Sequence, residues 1–250
     1  MILLRGCPGR LLVLDATGNL RALLSGLVFA VAAQMTLRGL LSPLRGDLAA
    51  GLMTDGPNPE VMVALYLGRW AGPALGIAAA IVALGFAYWN RVSVRTLVFG
   101  SGVGFAAALG WFLTSSLSQS SFEPVPVESL TFSGPSADML VFFLLPDAGL
   151  DFDIGMVPSV AAGAFLAAAL AGELQWQGWS GAQSTHRYLI GAALMGFGAM
   201  LAGGCSIGAG VTGTSTMAFT AWVALIAMWI GSAVTDALID RRSQAEEVTT

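Results

Sequence analysis

Six apolar stretches, each about long enough to cross the hydrocarbon core of a bilayer, decide what this chain can fold into. An α-helix rises 1.5 Å per residue, so about 20 mostly apolar residues span that core. Only 10% of the 250 residues are charged and 56% are hydrophobic, which leaves too little polar surface for a water-soluble globule. The sequence therefore predicts an all-α, polytopic integral membrane protein with about six transmembrane helices. The six stretches are Leu20–Leu37, Pro73–Trp89, Thr96–Leu117, Met156–Leu170, Tyr188–Ala202 and Met217–Val234.

A seventh apolar segment, Ala137–Leu145, is too short to cross the bilayer. Gly134-Pro135 precedes it and Pro146 follows it, and both are breaks that end helices. We interpret this segment as a half-helix that dips into the membrane or lies against it.

The charged residues indicate the orientation. All eleven basic residues are arginine, the formal net charge is −4, and no basic run suggests a nucleic-acid partner. Arginine accumulates in short cytoplasmic loops, so one side is marked by its arginines and the other by its carboxylates. This pattern predicts a multi-pass protein of a bacterial inner membrane with both termini cytoplasmic. The cytoplasmic marks are Arg91, Arg95, His186, Arg187, Arg241 and Arg242; the opposite side has Asp47, Asp55, Glu60, Glu123, Glu128, Asp147, Asp151 and Asp153, with Arg38, Arg45 and Arg69 against the trend.

A glycine-dense break, Ala202–Gly210, interrupts the apolar pattern around Cys205. Aligning Cys7 with Cys205 also matches leucine, glycine and valine at the same offsets, and a long apolar helix follows each copy. Because those two helices are predicted to run in opposite directions across the membrane, the copies form an inverted repeat, as in many transporters. We expect one membrane domain in which residues 1–45 are the remnant of a first repeat, 72–242 a second repeat and 243–250 a polar tail. Only six residues precede Cys7, so we expect the first repeat to be truncated.

The Cys205 segment suits a small anion. Its glycines allow close backbone approach, so that several N–H groups can point at a bound anion. Thr212, Thr214 and Ser215 are expected to cap the following helix, and its partly positive N-terminus favours negative charge. The thiol adds a soft contact and a weak S–H donor. The alternative is that the glycines serve only close helix packing and that the cysteine is a small apolar residue. The glycines concerned are Gly203, Gly204, Gly208 and Gly210.

Arg21, at the start of the first long helix, is a further candidate for attracting an anion towards Cys7. Interfacial placement with Asp15 as its partner is the favoured interpretation. Two cysteines and one histidine on separate elements form neither a metal site nor a catalytic triad. We therefore expect no metal, no cofactor and no enzymatic activity. The segment 47–59, rich in Gly, Pro and Asp, is predicted to be a surface loop.

The residues around Cys205 resemble a known family. Leu194-Met195-Gly196-Phe197-Gly198, followed by Leu201-Ala202-Gly203-Gly204-Cys205-Ser206-Ile207-Gly208, resembles the signature of the YeeE/YedE family of sulfur-compound transporters. Gly18-Asn19-Leu20-Arg21 resembles the matching part of that family's first half. One departure is Ala209, which stands where the family has a histidine.

The resemblance implies a specific function. Two inverted halves would form an hourglass with short helices entering the membrane, and Cys7 and Cys205 would be pathway cysteines that hand thiosulfate inward through S–H contacts. The expected function is an inner-membrane permease for thiosulfate or a related small sulfur anion, with surrounding lipid and a cytoplasmic sulfur-carrier protein as partners. The alternatives are a membrane sulfurtransferase or persulfide relay that uses Cys205, and a non-transporting, truncated remnant.

Overall fold

A computed structural model describes residue 3 and residues 6–51, 71–120, 127–145, 151–178 and 182–248 of the chain. Within these ranges the secondary structure is helical, apart from a single β-bridge between Asn19 and Gln177. The fold class predicted from the apolar stretches, an all-α membrane protein, is confirmed. The helices are α1 (Pro8–Ala16), α2 (Leu20–Leu37), α3 (Ser42–Ala50), α4 (Ala71–Trp89), α5 (Val94–Ser120), α6 (Ser133–Leu144), α7 (Phe152–Ala171), α8 (Ala182–Leu201), a π-helical turn (Gly208–Gly213) and α9 (Phe219–Val248).

Four described helices are long and apolar enough to cross a membrane, judged by length and composition. A fifth, Ala74–Trp89, is apolar but shorter. The predicted stretch 188–202 lies almost wholly within α8, whose first turns contain the polar residues 183–187. The membrane character of the chain is thus supported, while the number of six spans stays a prediction. The four helices are Leu20–Leu37, Val94–Ser120, Phe152–Ala171 and Phe219–Leu238.

Three short helices accompany the long ones. The predicted half-helix corresponds to α6, whose 12 residues rise about 18 Å, less than a bilayer core. The hydropathy pattern does not predict α1 and α3. Both begin with proline in the first turn, where its fixed φ favours a helix and its missing N–H costs nothing. The expected surface loop 47–59 is wrong over residues 47–50, because these belong to α3.

Some predictions concern residues that the structure does not describe. Of the charged residues used for the orientation, Asp55, Glu60, Arg69, Glu123 and Asp147 lie outside them, as does Pro146. The predicted polar tail from residue 243 is helical as far as Val248, the end of α9. The orientation and the repeat boundaries stay predictions.

The chain divides into two compact units. The first unit comprises Met1–Thr54, Thr131–Ala209 and Ala224–Thr250, and the second comprises Asp55–Leu130 and Gly210–Val223. The first unit contains α1, α2, α3, α6, α7 and α8, and both cysteines.

The core of the first unit is the contact between α2 and α8. Ala33 and Ala192 are fully buried there. A Cβ built at Gly196 would lie 2.7 Å from the carbonyl oxygen of Phe29 and 3.0 Å from the backbone nitrogen of Ala33. Small residues thus let the two backbones approach closely. This is usual for helices in membranes, because the hydrophobic effect does not drive their association there and close packing stabilises it instead.

Hydroxyl groups hold the second unit together. Ser129 Oγ donates to the carbonyl oxygen of Ala107 at 2.7 Å, and Thr114 Oγ1 donates to the carbonyl oxygen of Glu128 at 2.8 Å. Both side chains are buried. These bonds tie Glu128 and Ser129 to the middle of α5.

Candidate functional site

Cys205 lies at the start of a helical segment, residues 206–215, rather than in an open loop. Its carbonyl oxygen accepts the first helical hydrogen bond, from Ala209 N–H at 2.8 Å. Its Sγ accepts the N–H of Gly208 at 3.3 Å, as the side chain of an N-cap residue does. A second backbone N–H, from Phe132, reaches the same sulfur at 3.4 Å. The sulfur is therefore an acceptor for two fixed donors from two segments of the chain, and the residue is only 1% exposed.

The glycines before Cys205 end α8. Gly203 has φ of +74°, a left-handed conformation that residues with a Cβ rarely adopt. The N–H of Gly204 then donates to the carbonyl oxygen of Ala199 at 2.9 Å, which is the 6→1 bond of a Schellman motif. The N–H of Gly204 is therefore used by the end of α8, and a role of Gly204 in the pathway stays a prediction.

The glycines after Cys205 are helical, which also differs from the predicted loop. Gly208–Gly213 form a π-helical turn, an irregularity that is frequent at functional sites. The predicted caps are wrong as well: Thr214 Oγ1 and Ser215 Oγ donate to the carbonyl oxygens of Gly210 and Thr212 instead of accepting from the next helix. The sequence pattern misled because glycine in a helix costs only about 1 kcal/mol relative to alanine, which a close tertiary contact outweighs.

Cys7 occupies the same local position in its own helix. It is the N-cap residue of α1, with extended backbone dihedrals, and its carbonyl oxygen accepts the N–H of Leu11 at 3.0 Å. Pro8 follows at the first helical position. Unlike Cys205, Cys7 makes no capping hydrogen bond with its side chain, and it is only half-buried. Both cysteines, which are free thiols, thus stand at helix N-termini, where the helix dipole favours negative charge.

The two cysteine-capped helix starts meet inside the first unit. A Cβ built at Gly9 would lie 2.9 Å from Cδ1 of Ile207 and 3.2 Å from the ring of Phe132. Gly9 and Ile207 each follow their cysteine by two residues, so they occupy equivalent positions in the aligned copies. The structure therefore brings the two predicted cysteine segments together, with Phe132 beside both.

Arg21 lies away from this meeting point. It is in the first turn of α2, beyond the C-terminal end of α1, whereas Cys7 is at the N-terminal end. The nine residues of α1 correspond to about 14 Å of helix. The guanidinium lies 5.0 Å from the centre of the Tyr188 ring, a cation–π contact. A role of Arg21 in the pathway stays a prediction.

Arg45 is a residue whose contact the sequence analysis missed. Its Nε donates to the carbonyl oxygen of Met200 at 3.1 Å, in the last turn of α8. A cation there satisfies one of the carbonyls left open at a helix C-terminus. In the sequence Arg45 appeared only as an exception to the charge pattern, and no local signal links it to a residue 155 positions away.

Thr131 and Phe132 are the other residues that sequence reasoning missed. Both contact Cys205 Sγ, since Thr131 Oγ1 lies 3.9 Å from it. They sit just before α6, in a stretch without any recognisable motif. The resemblance to a transporter family drew attention to the cysteine segments, but not to this third element.

A cavity of about 500 Å³ lies beside α1 in the first unit, between α1, α2, α6 and α7. Its lining is almost entirely apolar, and Asp15 supplies its charged group. Burial raises the pKa of the Asp15 carboxyl. Among the described lining residues Asp15 alone carries a charge, and a carboxylate repels an anion, so this cavity does not suit the predicted substrate.

The chemistry available at the Cys205 site is hydrogen bonding to sulfur and by sulfur. Among the described residues, no group of three or more His, Cys, Asp or Glu side chains could hold a metal ion. A neutral thiol has one weak donor and a sulfur that accepts weakly. Because two N–H groups already point at this sulfur, its remaining capacity is to donate the S–H.

These features define a class: an α-helical membrane protein with two cysteine-capped short helices meeting in its interior. The particular family follows from comparison with known proteins. The profile of the sulphur transport family matches residues 1–234, and the chain belongs to that family. The resemblance to YeeE/YedE proteins noted in the sequence is thereby confirmed.

Two relatives carry the name thiosulfate transporter TsuA. The protein of Escherichia coli strain K12 is 32% identical over 130 residues, which cover 52% of this chain and 35% of that protein. The protein of Spirochaeta thermophila is 28% identical over 248 residues, which cover 93% of this chain and 72% of that protein. The match to the E. coli relative thus spans about a third of that relative's length.

Proposed function

We propose that this chain is a permease of a bacterial inner membrane that moves thiosulfate, or a related small sulfur anion, into the cytoplasm. Family membership supports sulfur transport, and the two relatives named as thiosulfate transporters support the choice of substrate. Cys7 and Cys205 would be successive contacts for the anion. A cytoplasmic sulfur-carrier protein as the recipient is part of this proposal and rests on the family resemblance.

The single observation that carries the mechanism is the environment of Cys205 Sγ. The sulfur accepts hydrogen bonds from two backbone N–H groups, those of Phe132 and Gly208. The S–H proton is therefore the group that remains to interact with an incoming anion, and the terminal sulfur of thiosulfate is an acceptor of matching softness. An S–H donor is weak, which suits a pathway: conduction needs contacts that bind the ion but also release it.

The position of Cys7 supports a sequence of two contacts. It caps α1, whose first turn touches the first turn of the Cys205 helix through Gly9 and Ile207. Each helix N-terminus carries a partial positive charge, so an anion between them is stabilised from both sides. Of the glycines predicted for the pathway, Gly208 contributes directly through its N–H on Cys205 Sγ. Gly203 and Gly204 contribute by ending α8, so that the next helical segment can start at Cys205. A role of Gly210 stays a prediction.

The sulfurtransferase alternative has one observation in its favour, since N–H donors on a sulfur also stabilise a thiolate. In that reaction the Cys205 thiolate would attack the outer sulfur of thiosulfate, forming an S–S bond and releasing sulfite. The attack needs access and a base for the thiol proton. Cys205 is 1% exposed, and its hydrogen-bond partners are two backbone N–H groups and a threonine hydroxyl, none of which takes up a proton.

Uptake of radiolabelled thiosulfate by cells that express the chain tests the proposal. The parent is expected to take up the label, and an excess of unlabelled thiosulfate should suppress uptake more than an excess of sulfate, which lacks the terminal sulfur. Cys7→Ala and Cys205→Ala should each reduce uptake. Ser25→Ala is the matched control, because Ser25 is as deeply buried as Cys205 but lies within α2, in its second turn. Equal suppression by sulfate would contradict a pathway that recognises the terminal sulfur of thiosulfate.

A further inference from the structure

The hydroxyl of Thr131 is the third polar group at the Cys205 sulfur. Its Oγ1 lies 3.9 Å from Sγ, within the range of a hydrogen bond to or from sulfur. The next residue, Phe132, supplies one of the two N–H donors to the same atom. A two-residue segment before α6 therefore contacts the sulfur twice.

The direction of the Thr131 contact follows from the other two. The N–H groups of Phe132 and Gly208 can only donate, so they occupy the sulfur as an acceptor. The thiol proton must then point elsewhere, and the Thr131 oxygen is the acceptor within reach. In this arrangement the S–H donates to Thr131 Oγ1.

The Thr131 side chain is held in place by its neighbours. A Cβ built at Gly208 would lie 2.7 Å from Thr131 Oγ1 and 3.1 Å from Thr131 Cβ, so the threonine rests directly on the glycine backbone. Its Oγ1 also lies 3.5 Å from Ser133 Oγ. Because Gly208 has no side chain, Thr131 can stay close to Cys205, which gives this glycine a role beyond its N–H.

We propose that Thr131 is a positioning residue for Cys205: its hydroxyl accepts a hydrogen bond from the thiol S–H while no anion is present, and the arriving anion displaces it. This inference rests on the proposed transport function. Thr131 then competes with the anion for the S–H as a hydrogen-bond donor. This competition weakens the bound state, and the S–H turns back to Thr131 as the anion leaves. The hydroxyl thereby speeds release at the cost of affinity.

Thr131→Val tests this, because valine has nearly the same shape but no hydroxyl. We expect both the KM and the maximal rate of thiosulfate uptake to fall, by about two- to fivefold, the effect of losing one modest hydrogen bond. A merely structural defect lowers the maximal rate and leaves the KM unchanged or raised. Thr131→Ser, which keeps the hydroxyl, should restore both parameters. Thr36→Val is the control, since Thr36 is fully buried in α2 and its hydroxyl donates to the carbonyl oxygen of Ala32 in the same helix.

Infrared spectroscopy gives a second readout that does not depend on transport. The chain has two cysteines, so in a Cys7→Ser background the S–H stretching band belongs to Cys205 alone. Thr131→Val should move that band to higher frequency, because the S–H loses its acceptor, and Thr36→Val should not move it. If Thr131→Val does not accumulate in membranes, Thr131→Ala removes the same hydroxyl without added bulk.

The outcomes separate this inference from the proposed function. If Cys205→Ala transports as well as the parent, the cysteine pathway itself fails. If Cys205→Ala is inactive but Thr131→Val leaves the KM and the S–H band unchanged, only the role of Thr131 is overturned. A raised KM in Thr131→Val would also overturn it, since the hydroxyl would then bind the anion instead of competing with it.

Discussion

The backbone N–H of Phe132 donates to Cys205 Sγ at 3.4 Å, across 73 residues of sequence. This bond joins the start of α6 to the cysteine that caps the helical segment 206–215, and the ring of the same phenylalanine lies against Gly9 of α1. One residue thus links three short elements of the first unit. Backbone geometry, more than any charged side chain, sets the environment of the sulfur.

Gly9→Ala should weaken the contact between the two cysteine-capped helix starts. The added Cβ would lie 2.9 Å from Ile207 Cδ1, so one side chain must move. We expect a loss of about 1–3 kcal/mol in stability, as for other overpacked sites, together with reduced thiosulfate uptake. Thermal unfolding of the detergent-purified protein measures the first effect and cell uptake the second.

Ile207→Val provides the rescue for that variant, because it removes the Cδ1 atom that the new Cβ meets. In a double-mutant cycle, Gly9→Ala with Ile207→Val should be more stable than the sum of the single changes predicts. Gly26→Ala is the control, since a Cβ at Gly26 meets nothing within 4 Å. Simple additivity in the cycle would show that Gly9 and Ile207 do not touch in the membrane.

Gly196→Ala should be more damaging than the same change two residues later. A Cβ at Gly196 would lie 2.7 Å from a backbone oxygen of α2, which cannot rotate away as a side chain can. The helices must separate, at a cost of about 1–3 kcal/mol, and the amount of protein in the membrane should fall. Gly198→Ala, which meets nothing within 4 Å, is the matched control. Equal stability of the two variants would argue against the close contact of α2 and α8.

Asp15→Asn should stabilise the protein in a pH-dependent way. Asp15 lies in α1, outside the four spanning helices, and burial raises its pKa above the ordinary value of 3.8. The folded state therefore holds the proton more tightly than the unfolded state, so the carboxylate lowers stability at pH above its folded pKa. That penalty disappears as the pH falls towards 3.8 and below.

The unfolding temperature of Asp15→Asn should accordingly exceed that of the parent at neutral pH and approach it in acid. Asp47→Asn, at an exposed position in α3, controls for the loss of a charge. A shift for Asp15→Asn that is the same at all pH values would contradict the effect of burial.

The long helices could be predicted from the sequence because hydropathy is a local property. The stretch Leu20–Leu37 coincides with α2 residue for residue, and Asn19 caps it by accepting the N–H groups of Arg21 and Ala22. A run of apolar residues with a capping residue before it is readable without knowing the fold. The short helix α1 was missed because only nine residues form it, too few for a hydropathy signal.

The candidate site was predictable only in part. The two cysteine segments stood out by their shared pattern, and the structure brings them together through Gly9 and Ile207. The donors to the sulfur did not stand out, because Thr131 and Phe132 reach Cys205 through tertiary contacts that leave no periodic trace. Glycines also have several uses: Gly203 ends a helix, whereas Gly208 makes room for a side chain. Composition alone cannot separate these two roles.

The initial rate of radiolabelled thiosulfate uptake by Cys205→Ala, at membrane levels equal to those of the parent and of Ser25→Ala, tests the central claim most directly. The claim is that Cys205, whose sulfur accepts two backbone N–H groups, contacts the passing anion through its S–H donor. Because the substitution removes that donor while the N–H groups remain, we expect uptake by Cys205→Ala to fall to background and uptake by Ser25→Ala to stay near the parental rate. Uptake by Cys205→Ala at the parental rate would contradict the account.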